Sequence, residues 1–307
     1  MLFRYLLLNL CLTATVLIFS LAIGISLGFT LPPLSALTFP VFITIVCVVT
    51  ALIFHFVRRN DNIVHTSLGF ASIIIFLMPG GMFSYITVPI NGLNIDQALT
   101  SFDRFLGVDW VNITNYLAQY PDAMSWAAQI YISSPYMCAV SLFVFGMVLE
   151  KPERVHEFVT NVIFGGLLCS LIGGIFPADG YYVFSNISES IIASINPSVG
   201  PSDMAKINEI RSGKLATLYI EGGLGVVSFP SFHTVLSLIL IWMARGTGFF
   251  FVVSIIWNIG IILCTPIMGN HYIGDVIGGA ILTVFIIWLT SRIYEVLGYN
   301  TVALAKV

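Results

Sequence analysis

Long apolar stretches separated by short polar connections are the feature of this sequence that most constrains its fold. A helix needs about 20 apolar residues to cross a bilayer. Eight stretches reach or approach that length: residues 5–28, 36–57, 64–90, 124–149, 157–176, 231–244, 248–267 and 271–293. We therefore expect an all-α fold, a polytopic bundle of about eight transmembrane helices in which the sixth is the shortest.

The composition excludes the main classes of soluble protein. Charged residues make up 9% of the chain and hydrophobic residues 58%, whereas a soluble domain carries about 25% charged residues. A soluble enzyme or a disordered protein is therefore a poor interpretation. The net charge of −3 offers no basic surface for nucleic acid. The five cysteines lie in apolar stretches without metal-type spacing, so neither a disulfide framework nor a zinc site is expected.

The basic residues predict the orientation of the helices, because short cytoplasmic loops accumulate Lys and Arg. With the N-terminus inside and eight crossings, the inner side receives Arg4, Arg58, Arg59, Lys151, Arg154, Arg245, Arg292 and Lys306. The outer side receives Arg104, Lys206, Arg211 and Lys214. We expect both termini to be cytoplasmic. Since the sequence carries no retention signal or long tail, a bacterial inner membrane is the expected location.

Polar residues concentrate in two outer segments. Segment 91–123 is predicted to form one or two amphipathic helices on the membrane surface, anchored by Trp110 and Tyr116. Segment 177–230 is the longest polar connection, and a loop of that length is usually functional. The predicted organisation is two N-terminal helices in 1–63, a catalytic membrane domain in 64–293 and a short cytoplasmic tail in 294–307.

His271 and Asp275 are four residues apart at the start of the last apolar stretch. On a helix, this spacing brings the imidazole and the carboxylate to one face, within hydrogen-bonding reach. A carboxylate bonded to one ring nitrogen fixes the tautomer and leaves the other nitrogen free to react. The alternative is a structural pair in which His271 only satisfies the buried charge of Asp275.

His233 lies at the start of the sixth apolar stretch, after Pro230 and Ser231. Proline suits the first turn of a helix, and the hydroxyl of Ser228 or Ser231 can cap it. The amides and the dipole at a helix N-terminus favour an anion, so a phosphate could bind beside His233. The alternative is a capped helix start with a histidine at the membrane interface.

The topology predicts that both motifs meet at one membrane face. Two crossings return the chain from His233 to His271 on the outer side. Two histidines, an aspartate and nearby cations suit phosphoryl transfer: one histidine attacks phosphorus, the other protonates the leaving oxygen, and cations hold the remaining oxygens. No dense set of carboxylates is present for Mg²⁺, so we expect neither metal nor cofactor. The remaining histidines, at positions 55, 65 and 156, are predicted to be solvated or interfacial.

These motifs resemble a known family. Phe229-Pro-Ser-Phe-His233 and His271-x-x-x-Asp275, each at the outer start of a helix, are similar to motifs of the type 2 phosphatidic acid phosphatase superfamily. Asp96-x-x-Leu-x-x-x-Asp103-Arg104-x-Leu-Gly107 is similar to a segment of the branch that includes inositol phosphorylceramide synthases. The resemblance covers roughly residues 95–290 and implies a six-helix, phosphatase-like core.

The resemblance also implies a role for each motif residue. His271 would be the nucleophile that forms a phosphohistidine, Asp275 its orienting partner, and His233 the general acid and base. The chain departs from the superfamily at the basic positions: the Lys-x6-Arg-Pro motif is missing, and Thr265 stands where an arginine precedes the nucleophile. It also has Phe232 in place of a glycine before the first histidine.

Other groups must then hold the phosphate. The candidates are Arg211, Lys214, Arg104 and Lys206, helped by Ser231 and its neighbouring amides. Arg211 and Lys214 precede the His233 motif most closely, and the alternative for them is a solvated pair in a loop.

We therefore expect an integral membrane phosphatase or phosphotransferase. Its substrate would be a lipid-linked phosphate at the extracytoplasmic face, and the resemblance points to an inositol phosphorylceramide synthase-like transferase. Two alternatives stay open. One is a transporter or flippase that uses the His/Asp cluster for protons or substrate, and the other is an inactive relative that acts as an assembly partner. The sequence predicts no oligomeric state.

Overall fold

The computed structural model describes residues 2–195, 209, 210, 212, 214 and 227–298. Within these residues the chain is helical and forms no β-sheet, which confirms the predicted all-α bundle. The helices are α1 Leu2–Ser26, α2 Leu34–Ile53, α3 Asp61–Thr87, α4 Asp96–Phe105, α5 Trp110–Leu117, α6 Pro121–Ile132, α7 Ser134–Phe143, α8 Pro152–Ile175, α9 Tyr181–Phe184, α10 Glu189–Ile195, α11 Phe232–Ala244, α12 Phe249–Met268 and α13 Ile273–Val296. Single turns at Phe54–Arg58, Val88–Ile90 and Val144–Val148 continue α2, α3 and α7.

The predicted membrane spans all correspond to helices, but two of the eight are irregular. Six segments are long and apolar enough to cross a bilayer: Leu2–Ser26, Leu34–Arg58, Asp61–Ile90, Pro152–Ile175, Phe249–Met268 and Ile273–Val296. The predicted span 124–149 is a pair of helices, Pro121–Ile132 and Ser134–Val148, bent by 43°. The predicted span 231–244 forms α11, whose 13 residues rise about 20 Å, less than the hydrocarbon thickness of about 30 Å. The described residues thus contain six spans, or seven with the bent pair.

The bend between α6 and α7 has a local cause. Pro135 in the first turn of α7 has no amide to donate, so the helical hydrogen-bond ladder is interrupted there. The Trp257 indole of α12 donates to the hydroxyl of Ser133 at the bend over 2.8 Å. A side chain of α12 therefore fixes the position of the bend.

Helix α8 lies at the centre of the bundle. It packs against α1, α3, α11 and α13, and its side chains Val155, Phe158, Val159 and Ile163 are fully buried. By contrast, α2 packs mainly on α3. In its most apolar stretch, only 6% is buried inside the bundle. The apolar surface of α2 therefore faces outwards, as expected for a helix surrounded by lipid.

The prediction of solvated histidines is correct for His55 and wrong for His65 and His156. The His65 and His156 side chains are buried, and Nδ1 of His65 lies 2.9 Å from Nε2 of His156. The reason is that α3, which begins at Asp61, and α8, which begins at Pro152, pack against each other and bring the two side chains together. Both histidines therefore fall inside the bundle, within its first helical turns.

A buried polar network joins α1 and α13 to α8 near that histidine pair. The Thr160 hydroxyl donates to the Asn9 amide oxygen over 2.6 Å and lies 2.6 Å from the Tyr294 hydroxyl. The Asn9 amide group donates to the carbonyl of His156. This network ties the N-terminal helix to α8 and to α13, whose start adjoins the His271 motif.

The predicted amphipathic segment 91–123 forms α4 and α5, but its polar side chains do not all face outwards. Asp96 and Asp103 are fully buried. Trp110, predicted as an interface anchor, is buried as well and stacks on Tyr181, with ring centroids 4.6 Å apart, while Tyr116 is exposed. The segment covers the start of α13 because its carboxylates accept hydrogen bonds from that part of the chain.

Candidate functional site

The His271–Asp275 pair forms as the spacing predicts. Nδ1 of His271 lies 3.1 Å from Oδ2 of Asp275, and both side chains are buried. The same carboxylate oxygen accepts from the backbone amide of Tyr272 over 2.9 Å and from the Ser228 hydroxyl over 3.2 Å. The buried charge is thus stabilised by several donors, and the imidazole has one ring nitrogen anchored.

The turn that carries His271 is held by the start of the 177–230 loop. Asn270 adopts a left-handed conformation with φ of 56°. Its side chain accepts from the amide of Tyr182 over 2.8 Å and donates to the carbonyl of Asp179 over 3.0 Å. The Tyr182 hydroxyl donates to the carbonyl of Ile267 over 2.7 Å. Burial raises the pKa of Tyr182 to about 12, so this donor keeps its proton at neutral pH.

Asp96 and Asp103 act as internal caps at this end of the bundle. The Asp103 carboxylate accepts from the amides of Ile273 and Gly274, the first two of α13, over 2.9 and 3.2 Å. The Asp96 carboxylate accepts from the Tyr272 hydroxyl and from the amides at positions 179 and 180. The N-terminus of α13 is therefore already neutralised by the protein's own carboxylate.

His233 lies in the first turn of α11, close to the α13 motif. Ser231 caps this helix, since its hydroxyl oxygen accepts from the amide of Thr234. The amide of Ser231 in turn donates to the carbonyl of Asp275 over 3.1 Å. This bond joins the starts of the two helices, and His233 is near enough to His271 for the two rings to interact electrostatically.

Tyr131 of α6 contacts the His233 ring. Its ring stacks on His233 with centroids 4.1 Å apart and planes inclined by 24°. Its hydroxyl lies 3.0 Å from Nδ1 of His233. Each histidine therefore has its Nδ1 atom anchored, one by a carboxylate and the other by a phenol, and these two contacts leave Nε2 of each ring available.

The predicted phosphate-binding side chains have different placements. Ser231 is fully buried, and its hydroxyl is engaged as the helix cap. Arg104 and Lys214 are exposed, and the contacts of His233 and His271 described above, with Tyr131 and Asp275, involve neither of them. Arg211 and Lys206 lie outside the described residues. The roles of these groups in phosphate binding stay predictions.

Sequence reasoning missed Tyr131 and the bond from Ser228 to Asp275. Tyr131 is 102 residues from His233 in sequence, and it lies in an apolar stretch where a tyrosine is unremarkable. The sequence indicates Ser228 only as a possible helix cap, and its proximity to the His233 motif is a weak signal for the bond to Asp275. In the described part of the chain, no group of three or more His, Cys, Asp or Glu side chains could hold a metal ion.

Comparison with known families decides the affiliation of the chain. Residues 97–289 match the family model described as PAP2 superfamily, a range that covers well over half of the chain. The chain belongs to the PAP2 superfamily. Members of this superfamily are phosphatases and phosphotransferases, so an enzyme acting on phosphoric esters is indicated. No curated protein and no solved structure matches the chain significantly.

The match to the PAP2 superfamily begins after α3 and ends within α13. It includes Asp103 and both histidine motifs, whereas Asp96 lies one residue before the matched range. Helices α1 to α3 lie outside the matched range. The predicted partition of the chain at residues 63 and 293 stays a prediction.

Proposed function

We propose that this protein is an integral membrane phosphatase or phosphotransferase that acts on a lipid-linked phosphate. The observation that carries the proposal is the His271–Asp275 pair, with an N···O distance of 3.1 Å, beside His233. Membership of the PAP2 superfamily supports an enzyme over a transporter or flippase. The apolar helices around the site support a substrate that resides in the bilayer.

The proposed reaction has two steps. Nε2 of His271 attacks phosphorus, the bond from phosphorus to the leaving oxygen breaks, and Nε2 of His233 gives its proton to that oxygen. In the second step, water or an alcohol attacks the phosphohistidine, the N–P bond breaks, and His233 takes up the proton of the attacking hydroxyl. Asp275 stabilises the positive charge that the His271 ring acquires in the first step.

The anion is expected near the start of α11 rather than α13. At α13 the Asp103 carboxylate already accepts from the first amides, so a second anion there would be repelled. At α11 the amides of Phe232 and His233 have no acceptor within the helix, because they belong to its first turn. Together with Arg211, Lys214 or Arg104, these amides are the proposed ligands of the phosphate oxygens.

The finer parts of the proposal concern acceptor and location. The similarity of segment 96–107 to the inositol phosphorylceramide synthase branch supports transfer to a lipid alcohol. The basic residues of the short loops support cytoplasmic termini and an active site on the extracytoplasmic side, in a bacterial inner membrane. The proposed partners are therefore a lipid phosphate donor, an alcohol acceptor or water, and the bilayer.

A substrate panel tests the proposal. The purified full-length protein in detergent micelles is given lipid phosphates and diphosphates, with and without ceramide, diacylglycerol or polyprenol acceptors. We expect phosphate release or transfer that is abolished in His271→Ala and retained in His55→Ala, whose side chain is exposed. An acid-labile phosphohistidine at position 271 should form during turnover of the donor. Equal turnover in His271→Ala and the unmodified protein would refute the mechanism.

A further inference from the structure

Tyr131 contacts His233 and belongs to neither histidine motif. It is carried by α6, the first half of the bent helix pair, and it reaches His233 of α11. Its ring is parallel to the imidazole to within 24°, and its hydroxyl is 3.0 Å from Nδ1. A stack and a hydrogen bond together restrict both the tilt and the rotation of the imidazole.

Three features fix the Tyr131 hydroxyl at this point. Pro135 and the bond from Trp257 to Ser133 hold the bend that follows Tyr131 in the chain. Gly269 leaves room on the other side, since a Cβ atom at that position would lie 2.6 Å from the Tyr131 hydroxyl oxygen and 2.6 Å from Cδ2 of His271. The hydroxyl therefore lies in a close-packed space that borders both histidines.

We propose that Tyr131 is a positioning residue for His233: its hydroxyl accepts the hydrogen bond of Nδ1–H and thereby directs Nε2 towards the substrate. This inference rests on the proposed phosphoryl transfer and deepens it. Tyr131 itself does not touch the reacting atoms. It acts on the reaction through the orientation and the tautomer of His233.

The proton inventory supports this role. As general acid, His233 must begin as an imidazolium with protons on both nitrogens, and it releases the one on Nε2 to the leaving oxygen. The product tautomer keeps its proton on Nδ1, where the phenol oxygen accepts it. Nε2 then has the free electron pair that it needs to take a proton from water or an alcohol in the second step.

The two anchors differ in charge, and the difference suits the two roles. Asp275 is an anion beside His271, and an opposite charge stabilises the cation that forms when this ring is phosphorylated. Tyr131 is a neutral phenol beside His233, since tyrosine ionises only near pH 10. A neutral acceptor orients the imidazolium without binding its charge strongly, so the proton can still be transferred.

The first experiment compares two conservative substitutions within the bent pair. Tyr131→Phe keeps the ring stack and removes the hydroxyl, whereas Tyr136→Phe removes an exposed hydroxyl and is the matched control. A hydrogen bond to a charged group is worth about 1.5–3 kcal/mol, so kcat should fall about 10- to 100-fold in Tyr131→Phe with little change in KM. The thermal unfolding temperature of each variant in detergent shows whether the fold is kept.

The pH profile distinguishes positioning from a merely structural role. Without its acceptor, the His233 imidazolium is less stable, so the alkaline limb of the kcat profile should move to lower pH in Tyr131→Phe. Within the part of the chain that the structure describes, the titratable groups that face His233 are Tyr131 and His271, and the second of these is unchanged in the variant. A uniform loss of activity with an unshifted profile would overturn the inference.

A double-mutant cycle completes the test. Because Tyr131 acts through His233, adding Tyr131→Phe to His233→Ala should lower kcat no further. If the substitution has the same effect in both backgrounds, or none in the native protein, Tyr131 is not the positioning residue. The His271→Ala variant distinguishes the two proposals. If it is as active as the native protein, the proposed function fails. If it is inactive while Tyr131→Phe keeps the native kcat, only the role of Tyr131 is refuted.

Discussion

Gly269 precedes the turn that carries His271, and its missing side chain has a clear structural reason. An added Cβ would lie 2.6 Å from both the Tyr131 hydroxyl oxygen and Cδ2 of His271, and 2.8 Å from the carbonyl oxygen of Thr265. The carbonyl oxygen of Thr265 belongs to the backbone and cannot rotate away. Position 269 therefore lies directly between His271 and Tyr131, the residue that contacts His233.

We expect Gly269→Ala to lower turnover by about 100-fold, since a displacement of about 1 Å at reacting groups can have an effect of that size. The measurement is kcat for the best substrate of the panel. The control is Gly81→Ala in α3, where an added Cβ would meet no atom within 4 Å. Full activity in Gly269→Ala would contradict the close packing of this turn.

At the scale of elements, α4 matters because it supplies the cap of α13. The Asp103 carboxylate accepts from the Trp110 indole over 2.6 Å and from the first two amides of α13. The segment predicted to rest on the membrane is thus part of the support of the site. Its carboxylates are internal ligands of backbone amides.

Asp103→Ala should reduce the free energy of unfolding by about 3 kcal/mol, because buried donors of the indole and of α13 lose their acceptor. Denaturant titration of the protein in micelles measures this change. Gln97→Ala, on the exposed face of the same helix, should leave the stability within about 0.5 kcal/mol. Equal stability of Asp103→Ala and the native protein would show that the cap is dispensable.

At the scale of the whole molecule, the basic residues and the packing support one arrangement in the membrane. The Arg154 guanidinium donates to the carbonyls of Met243 and Arg245 over 2.6 and 2.8 Å. The start of α8 and the end of α11 therefore meet at one end of the bundle. The His233 motif begins α11 and is at the other end of that helix.

Reporter fusions test the resulting orientation. A reporter placed after Lys151 should report the cytoplasm, and one placed after Lys214 should report the extracytoplasmic side. A third fusion after Arg245 should agree with the first, because α11 separates that residue from the loop. If the fusions at Lys151 and Lys214 report the same compartment, the proposed topology is wrong.

The predictions that succeeded depend on local patterns. The length of the apolar stretches predicts the all-α bundle, because each helix satisfies its own backbone hydrogen bonds in a bilayer. The spacing of His271 and Asp275 predicts their hydrogen bond, because residues four apart share a helix face. The predictions that failed placed the side chains of His65, His156 and Trp110 in water or at the membrane interface, whereas the packing of neighbouring helices buries them.

The sequence by itself therefore determined the membrane character, the helical architecture and the His271–Asp275 pair, all of which follow from residues close together in the chain. Only the tertiary structure decided that Tyr131 anchors His233 and that Asp103 caps α13, across 102 and 170 residues respectively. The physical reason is that these contacts depend on how the helices pack and where α6 bends. No periodicity within a single helix encodes which side chain a neighbouring helix will present to it.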